Sequence, residues 1–464
     1  MNVVFLGGGS MRILPILRGV FHLAPDAFRA GEIRLVDREL DRAEAVGRLA
    51  MACPEYQDVR CKISWTTDVD SALEGADALY LTMGARSEPT ETLAALAAQE
   101  HGYFSSDQLS INGAFLSLRL GAVIMGLARK MERLCPNAMM LIFPNPVAVY
   151  SCMVNNHTKI KALGICGGFN NHRWDLSRLC GRDEFDPKWD VVAAGVNHLS
   201  FILRGKRKGE DLYGELMPRI LNENWKCMEI QGSSPLAAKA LRRALENLYK
   251  LYRRHGTIVF STEGDGLAHI ATQDALDLQA ERLGAMTDFN PGTIAGTIKE
   301  RQKAQAAEFL GAAASPQQVD WSVPWPRSPR YGRDVTDITI PIFEALAGLR
   351  KMRIVASRAN KGAVDGFPGD FALEYTMDIF KDSVTPIENQ YVPRPFHGLI
   401  ASLSEFQTLQ AQAIVQHDPK VFADALDAYP INRFTPARNK FFTRMFDIYS
   451  DLDPHMRQAR NYFA

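Results

Sequence analysis

Val3-Val4-Phe5-Leu6-Gly7-Gly8-Gly9-Ser10 stands at the head of the chain. The four apolar residues make a short strand, and the glycines end it. A tight strand-to-helix turn favours glycine, because positive φ is cheap only there. Its bare backbone lets a pyrophosphate settle on the N-terminus of the next helix. Gly7 and Gly9 fill the first two places of G-x-G-x-x-G, with Ser10 following, while Arg12 takes the third. Ile33 to Asp37 (IRLVD) reads as a second strand. The Asp37 carboxylate at its end can accept hydrogen bonds from ribose hydroxyls. Its distance from Gly9 exceeds the usual spacing of about 20 residues. Aspartate here favours NAD over NADP, and the neighbouring Arg38 speaks against that choice. Singly, these features also fit a plain turn and a solvated acid. Together they predict a dinucleotide site formed by Gly7, Gly9, Ser10 and Asp37.

Further strand-like runs follow at Ala78–Thr82, Ala138–Phe143 and Ala162–Ile165, with helical patterns at Leu40–Met51 and Ala114–Leu134. This alternation predicts a doubly wound parallel sheet, a Rossmann-like domain over residues 1–165. Residues 166–464 are less regular and are expected to form an α+β domain. Apolar runs at 191–203 break at Asn197-His198, and helical patterns occupy 235–254, 270–283, 398–428 and 435–450. The stretch 315–335, rich in Pro, Trp and Arg, reads as a long loop.

The 464 residues are enough for two to three domains. Lys plus Arg and Asp plus Glu number 53 each, so the net charge is zero. That balance argues against a nucleic-acid binder or a polybasic membrane protein. The seven cysteines form no CxxC pair and suggest reduced thiols. The first residues lack a signal pattern, and no run approaches about 20 apolar residues. A cytoplasmic enzyme is the expectation.

Three features are expected at strand ends: Asn145 in Phe143-Pro144-Asn145-Pro146-Val147, Cys166 in Cys166-Gly167-Gly168-Phe169, and Asn197-His198. Open α/β sheets bind ligands beyond the carboxyl ends of their strands, so Asn145 and Cys166 face one crevice. A lone cysteine is usually a small buried hydrophobe, and a lone histidine is usually structural. The spacing of these two is no metal motif by itself.

In order, these segments resemble glycoside hydrolase family 4, whose fold is related to the lactate and malate dehydrogenases. Asp107 to Arg119 (DQLSINGAFLSLR) resembles the family segment D-T-x-G-x-G-G-x-x-x-x-L-R, and Met131 to Pro146 resembles its helix, strand and N-P turn. Arg254-His255-Gly256 through His269, Phe396 to Ile400 and Tyr429-Pro430-Ile431 also fit. The resemblance implies a lactate/malate-dehydrogenase-like catalytic domain and a glycosidase dependent on NAD and a divalent metal such as Mn2+. It implies metal ligands Cys166 and His198, and Asp107 as acid at the leaving group. It implies Asp265 as the base at C2, and Asn145, Asn197 and His269 as substrate contacts, Asn145 also touching the cofactor. The chemistry implied is oxidation at C3, proton removal at C2, elimination and re-reduction, an exception to the two-carboxylate route. A small glycoside substrate and a homodimer or tetramer are expected. The CGGF motif departs from C-H-S-V or C-N-x-P, which puts the usual sugar specificities in question. Trp321, Trp325, Arg327, Arg330 and Arg333 are candidates for stacking on a sugar or binding an anion, and equally for a connector. Two other classes compete. A hydroxy-acid or sugar-acid dehydrogenase would need an Arg and a His–Asp pair not evident around His198. A nucleotide sensor would leave Cys166, His198 and Asp107 without a role.

Overall fold

A computed structural model of the chain describes residues 1–84, 88–182, 189–207, 209–230, 234–261, 264–284, 291–322, 329–431 and 435–464. Side chains at 88, 168–173, 189, 291–299, 301–302 and 329–337 lie outside that description.

Six parallel strands start the fold: β1 (Val3–Leu6), β2 (Glu32–Val36), β3 (Lys62–Thr66), β4 (Ala78–Leu81), β5 (Met139–Ile142) and β6 (Lys161–Gly164). Their order is β6-β5-β4-β1-β2-β3. The chain begins in the middle and winds outward both ways, so the strand order reverses between β1 and β4. Ligands bind at such a reversal. The expected strands and both expected helices are present. β3 was not foreseen, because Lys-Ile-Ser-Trp-Thr carries too few apolar residues for a central strand and lies at the sheet edge.

The helix Ile111–Leu134 is long and apolar enough to cross a membrane by composition. Here it is a core helix: Ile111 to Ser117, Ile124, Leu127, Ala128 and Met131 are buried.

The second half extends the same sheet with antiparallel strands. β7 (Trp189–Val196) and β8 (Leu199–Arg207) form a hairpin, and Met352–Ala359 pairs with Ala372–Phe380. The bridge between Ser357 and Gly164 joins the parallel and antiparallel halves. The strands at 352–380 escaped the sequence reading because buried polar residues, including Ser357, Glu374 and Thr376, interrupt their apolar pattern. Phe343 packs edge-on against Phe5 and Phe28, at 6.0 and 5.3 Å between ring centroids, so both halves share one core. Burying such a ring contributes roughly 1.5–3 kcal/mol.

Two expectations are corrected. The supposed loop 315–335 runs into a helix at Pro329–Leu346. The supposed helix 398–428 is two helices, His397–Gln416 and Pro419–Asp427. Between them His417 adopts φ of 53°, and Asp418 accepts from the backbone of Lys420 and Val421. A left-handed residue, a cap and a proline in the first turn end one helix and start the next.

Candidate active site

The glycine turn is a backbone cradle. Gly7 has φ of 88°, and a Cβ there would meet Thr82 Oγ1 at 2.8 Å and Met83 N at 3.0 Å. A Cβ on Gly9 would strike Arg42 Cβ at 2.7 Å and Asp37 Oδ2 at 3.0 Å. The Gly9 N–H donates to Asp37 Oδ2 at 2.9 Å, and the Glu39 N–H donates to Asp37 Oδ1 at 3.1 Å. Asp37 therefore ties the end of β2 to the turn, and each oxygen keeps a lone pair for a ribose hydroxyl. The Ser10 N–H closes the turn on Gly7 O at 3.0 Å. Arg12 lays its guanidinium over Phe143, 5.8 Å from the ring centroid.

Across the sheet, β7 and β8 leave a two-residue turn, Asn197-His198, with His198 at φ of 70°. His198 Nδ1 lies 2.9 Å from Asp265 Oδ1, so the carboxylate holds the ring proton on Nδ1. Nε2 then turns its lone pair to Cys166 Sγ, 3.2 Å away. A thiolate and an imidazole lone pair at this distance suit a borderline divalent cation. Among the described residues no group of three or more His, Cys, Asp and Glu is arranged to hold a metal ion. A cation held by this pair would keep positions for substrate oxygens.

The two sides are linked. Ser106 Oγ donates to Asp265 Oδ2 at 2.9 Å, and the next residue is Asp107. Asn145 Nδ2 donates to Asp107 Oδ2 at 2.7 Å. The peptide between Asn145 and Pro146 is cis. Cys166, His198, Asp265, Ser106, Asp107 and Asn145 thus form one connected set.

The model of the family 4 glycosyl hydrolases matches residues 2–179, and that of the family's C-terminal domain matches residues 193–431. The chain belongs to the family 4 glycosyl hydrolases. The 6-phospho-β-glucosidase of Escherichia coli is 23% identical over 453 residues, spanning 93% of this chain and 91% of its own. The α-galacturonidase of Thermoanaerobacter italicus is 21% identical, spanning 96% of each chain. The 6-phospho-β-glucosidase of Thermotoga maritima, solved with manganese, NAD+ and glucose-6-phosphate, superposes with a TM-score of 0.73 at 16% identity over 97% of this chain and 99% of that one. That likeness establishes the fold.

In this glycosyl hydrolase, three of the residues expected at the substrate are hydrogen-bonded to other parts of the chain. A base must offer a lone pair to the proton it takes. Asp265 is 2% exposed, and its oxygens accept from His198, the Gly266 N–H and Ser106. Burial pushes its pKa up, but the hydrogen bonds from His198 and Ser106 outweigh burial and hold the carboxyl below its usual value. It accepts from His198 Nδ1 and so fixes the orientation of that ring. Asn197 is 1% exposed and donates to Glu374 Oε2 at 2.7 Å, and Ser200 donates to Glu374 Oε1 at 2.9 Å. His269 Nδ1 lies 2.8 Å from Asp265 O, its Nε2 is buried, and its ring meets Tyr429 edge-on. Burial pushes the His269 pKa down, against the pull of Asp265. Among the described residues, Asn197 Oδ1 and His269 Nε2 are buried with no hydrogen-bond partner.

Gly266 was overlooked. A Cβ there would sit 2.1 Å from His198 O, so only glycine lets the two turns meet. Gln108, also overlooked, is fully buried against Asn145. The signal for both was adjacency to the expected acids. Trp321 packs under Arg18, whose Nη2 donates to Trp321 O at 3.2 Å. Trp325 and Arg327, and the side chains of Arg330 and Arg333, lie outside the described residues.

Proposed function

We propose that this enzyme hydrolyses a small glycoside with NAD seated on the Gly7–Ser10 turn and a divalent cation, Mn2+ among them, held by Cys166 and His198. The observation that carries this reading is Cys166 Sγ at 3.2 Å from His198 Nε2, joined through Asp265 and Ser106 to the Asp107–Asn145 pair. When bound, NAD supplies reversible hydride removal from the sugar and the cation polarises the oxygens beside it. The chain's own residues do the rest. Asp37 and the glycine turn place the cofactor. Asp265 fixes the tautomer of His198, so that Nε2 is a ligand and not a donor. Asn145 bridges cofactor and sugar hydroxyl. Asp107 gives its proton to the departing oxygen. The residues 1–165 and 166–464 divide these tasks as cofactor and catalytic domains. The seven cysteines form no disulfide, which suits the reducing cytoplasm, and a homodimer or tetramer is the expected assembly.

The test is a panel of aryl α- and β-glycosides, uronic acids and 6-phosphates included, incubated with NAD and Mn2+ in deuterated water. Cleavage is expected with deuterium at C2 and no net NADH. Cys166→Ser should abolish metal-dependent turnover. Full activity of that variant without metal, or steady NADH accumulation, overturns the reading.

A further inference from the structure

Three hydrogen bonds run in one line beneath the site. The Val147 N–H donates to Gln108 Oε1 at 3.2 Å. Gln108 Nε2 donates to Asn145 Oδ1 at 2.6 Å. Asn145 Nδ2 donates to Asp107 Oδ2 at 2.7 Å. The direction of the line is not free. A backbone N–H can only donate, so Gln108 must meet it with Oε1. Its Nε2 then faces Asn145, which must answer with Oδ1 and turn Nδ2 to Asp107. One immovable donor thereby settles two amide orientations and the role of one carboxylate oxygen.

We infer that Gln108 is the positioning residue that selects which oxygen of Asp107 carries the catalytic proton: Oδ2 is held as an acceptor, and the proton resides on Oδ1. This rests on the reading of Asp107 as the acid. In that step the C1–O bond breaks and its electron pair goes to the departing oxygen. The proton on Oδ1 moves to that oxygen, and Asp107 is left as a carboxylate. If the Asn145 amide were free to turn over, its Oδ1 would face Asp107 and draw the proton to Oδ2, away from the leaving group.

Gln108 is 0% exposed, so the protein and not solvent supplies both partners of its amide.

The experiment compares Gln108→Met, which keeps the length and loses the line, with Gln108→Glu, which presents an acceptor where Nε2 donates. General acid help is worth roughly 10²–10⁴-fold and matters most for poor leaving groups. We expect kcat to fall about 30-fold or more on alkyl glycosides and less than about 3-fold on 4-nitrophenyl glycosides, with KM unchanged. A fall of equal size for both leaving groups, in an enzyme whose wild type cleaves them, overturns the inference. A second readout does not need catalysis. In wild type the Asn145 side-chain amide protons should exchange slowly with water, and in Gln108→Met they should exchange at least about 10-fold faster and shift in the 15N–1H spectrum. An Asn145 signal unmoved by Gln108→Met overturns the inference even if no glycoside is ever cleaved, an outcome that would sink only the proposed function.

Discussion

The turn at residues 7–10 and the turn at Asn197-His198 serve one crevice and are built differently. The first bends on glycine, at φ of 88°, and is closed by its own backbone. Neighbouring strands hold it with Val36 O, which accepts from the Gly7 and Gly8 N–H groups, and with the Asp37 and Thr82 side chains. The second bends on a histidine at φ of 70°, which costs a non-glycine residue roughly 1–2 kcal/mol. Side chains from distant segments offset that cost: Asp265 on His198, and Glu374 on Asn197. One turn needs small residues close by in sequence. The other needs a buried scaffold assembled from three separate stretches.

The two turns can be set against each other by adding one methyl group to each. Gly266→Ala would push a Cβ into His198 O, only 2.1 Å from its ideal position. Backbone on backbone cannot yield cheaply, and overpacking of this kind costs about 1–3 kcal/mol. We expect the largest effect here: metal binding and turnover lost, with NAD affinity retained. Gly9→Ala meets Arg42 Cβ at 2.7 Å and Asp37 Oδ2 at 3.0 Å. It should weaken NAD by at least about 10-fold and leave metal affinity intact, since a shift of 1.4 kcal/mol suffices. Calorimetric titration of each variant with Mn2+ and with NAD separates the two. If Gly266→Ala harms NAD binding as much as metal binding, the turns are not independent.

A milder break is Asp265→Asn. Loss of the carboxylate behind a ligating histidine typically costs 10–100-fold in metal affinity or activity. As a support, Asp265→Asn should regain most of its kcat at high Mn2+. A kcat that stays low at saturating Mn2+ would give Asp265 the part of the base.

This contrast also explains what the sequence made legible. Strands β1, β2, β4, β5 and β6 are short apolar runs bounded by glycine, proline or acid, and each is visible in isolation. The same holds for the glycine turn and for Asp37. Cys166 and His198 were named as partners only through a family resemblance, since nothing local in the sequence draws them together. Asp265, Asn197 and His269 share one feature that the sequence hides: each is tied by a hydrogen bond to another residue of the fold. Gln108 was passed over because a glutamine in a loop carries no pattern. Its meaning comes from Val147, 39 residues away.

The smallest expected effect lies at the sheet edge, and it sets one acid against another. Asp265 and Glu32 are both held below their usual pKa, the first beneath the site and the second where β2 meets β3. Burial pushes Glu32 up, but hydrogen bonds from Lys62, Ser64 and Arg34 outweigh it and bring it from 4.5 to about 2. Lys62 Nζ and Ser64 Oγ each lie 2.8 Å from Oε1, and Arg34 Nε lies 3.0 Å from Oε2. A folded pKa below the unfolded one adds stability above the unfolded value and loses it as pH falls through the folded one. The contribution of Glu32 should therefore be complete above about pH 5 and gone near pH 2. Its partners are partly exposed, so screening limits it to about 1 kcal/mol. In urea unfolding, Glu32→Gln should be less stable than wild type by that amount at pH 6, and the gap should close as the pH approaches 2. Asp265→Asn, followed without metal, should show the same closing gap with a larger starting value, because a buried carboxylate is less screened. A gap for Glu32→Gln that persists undiminished at pH 2 would mean that the edge strand is held by packing at Glu32 and not by its charge.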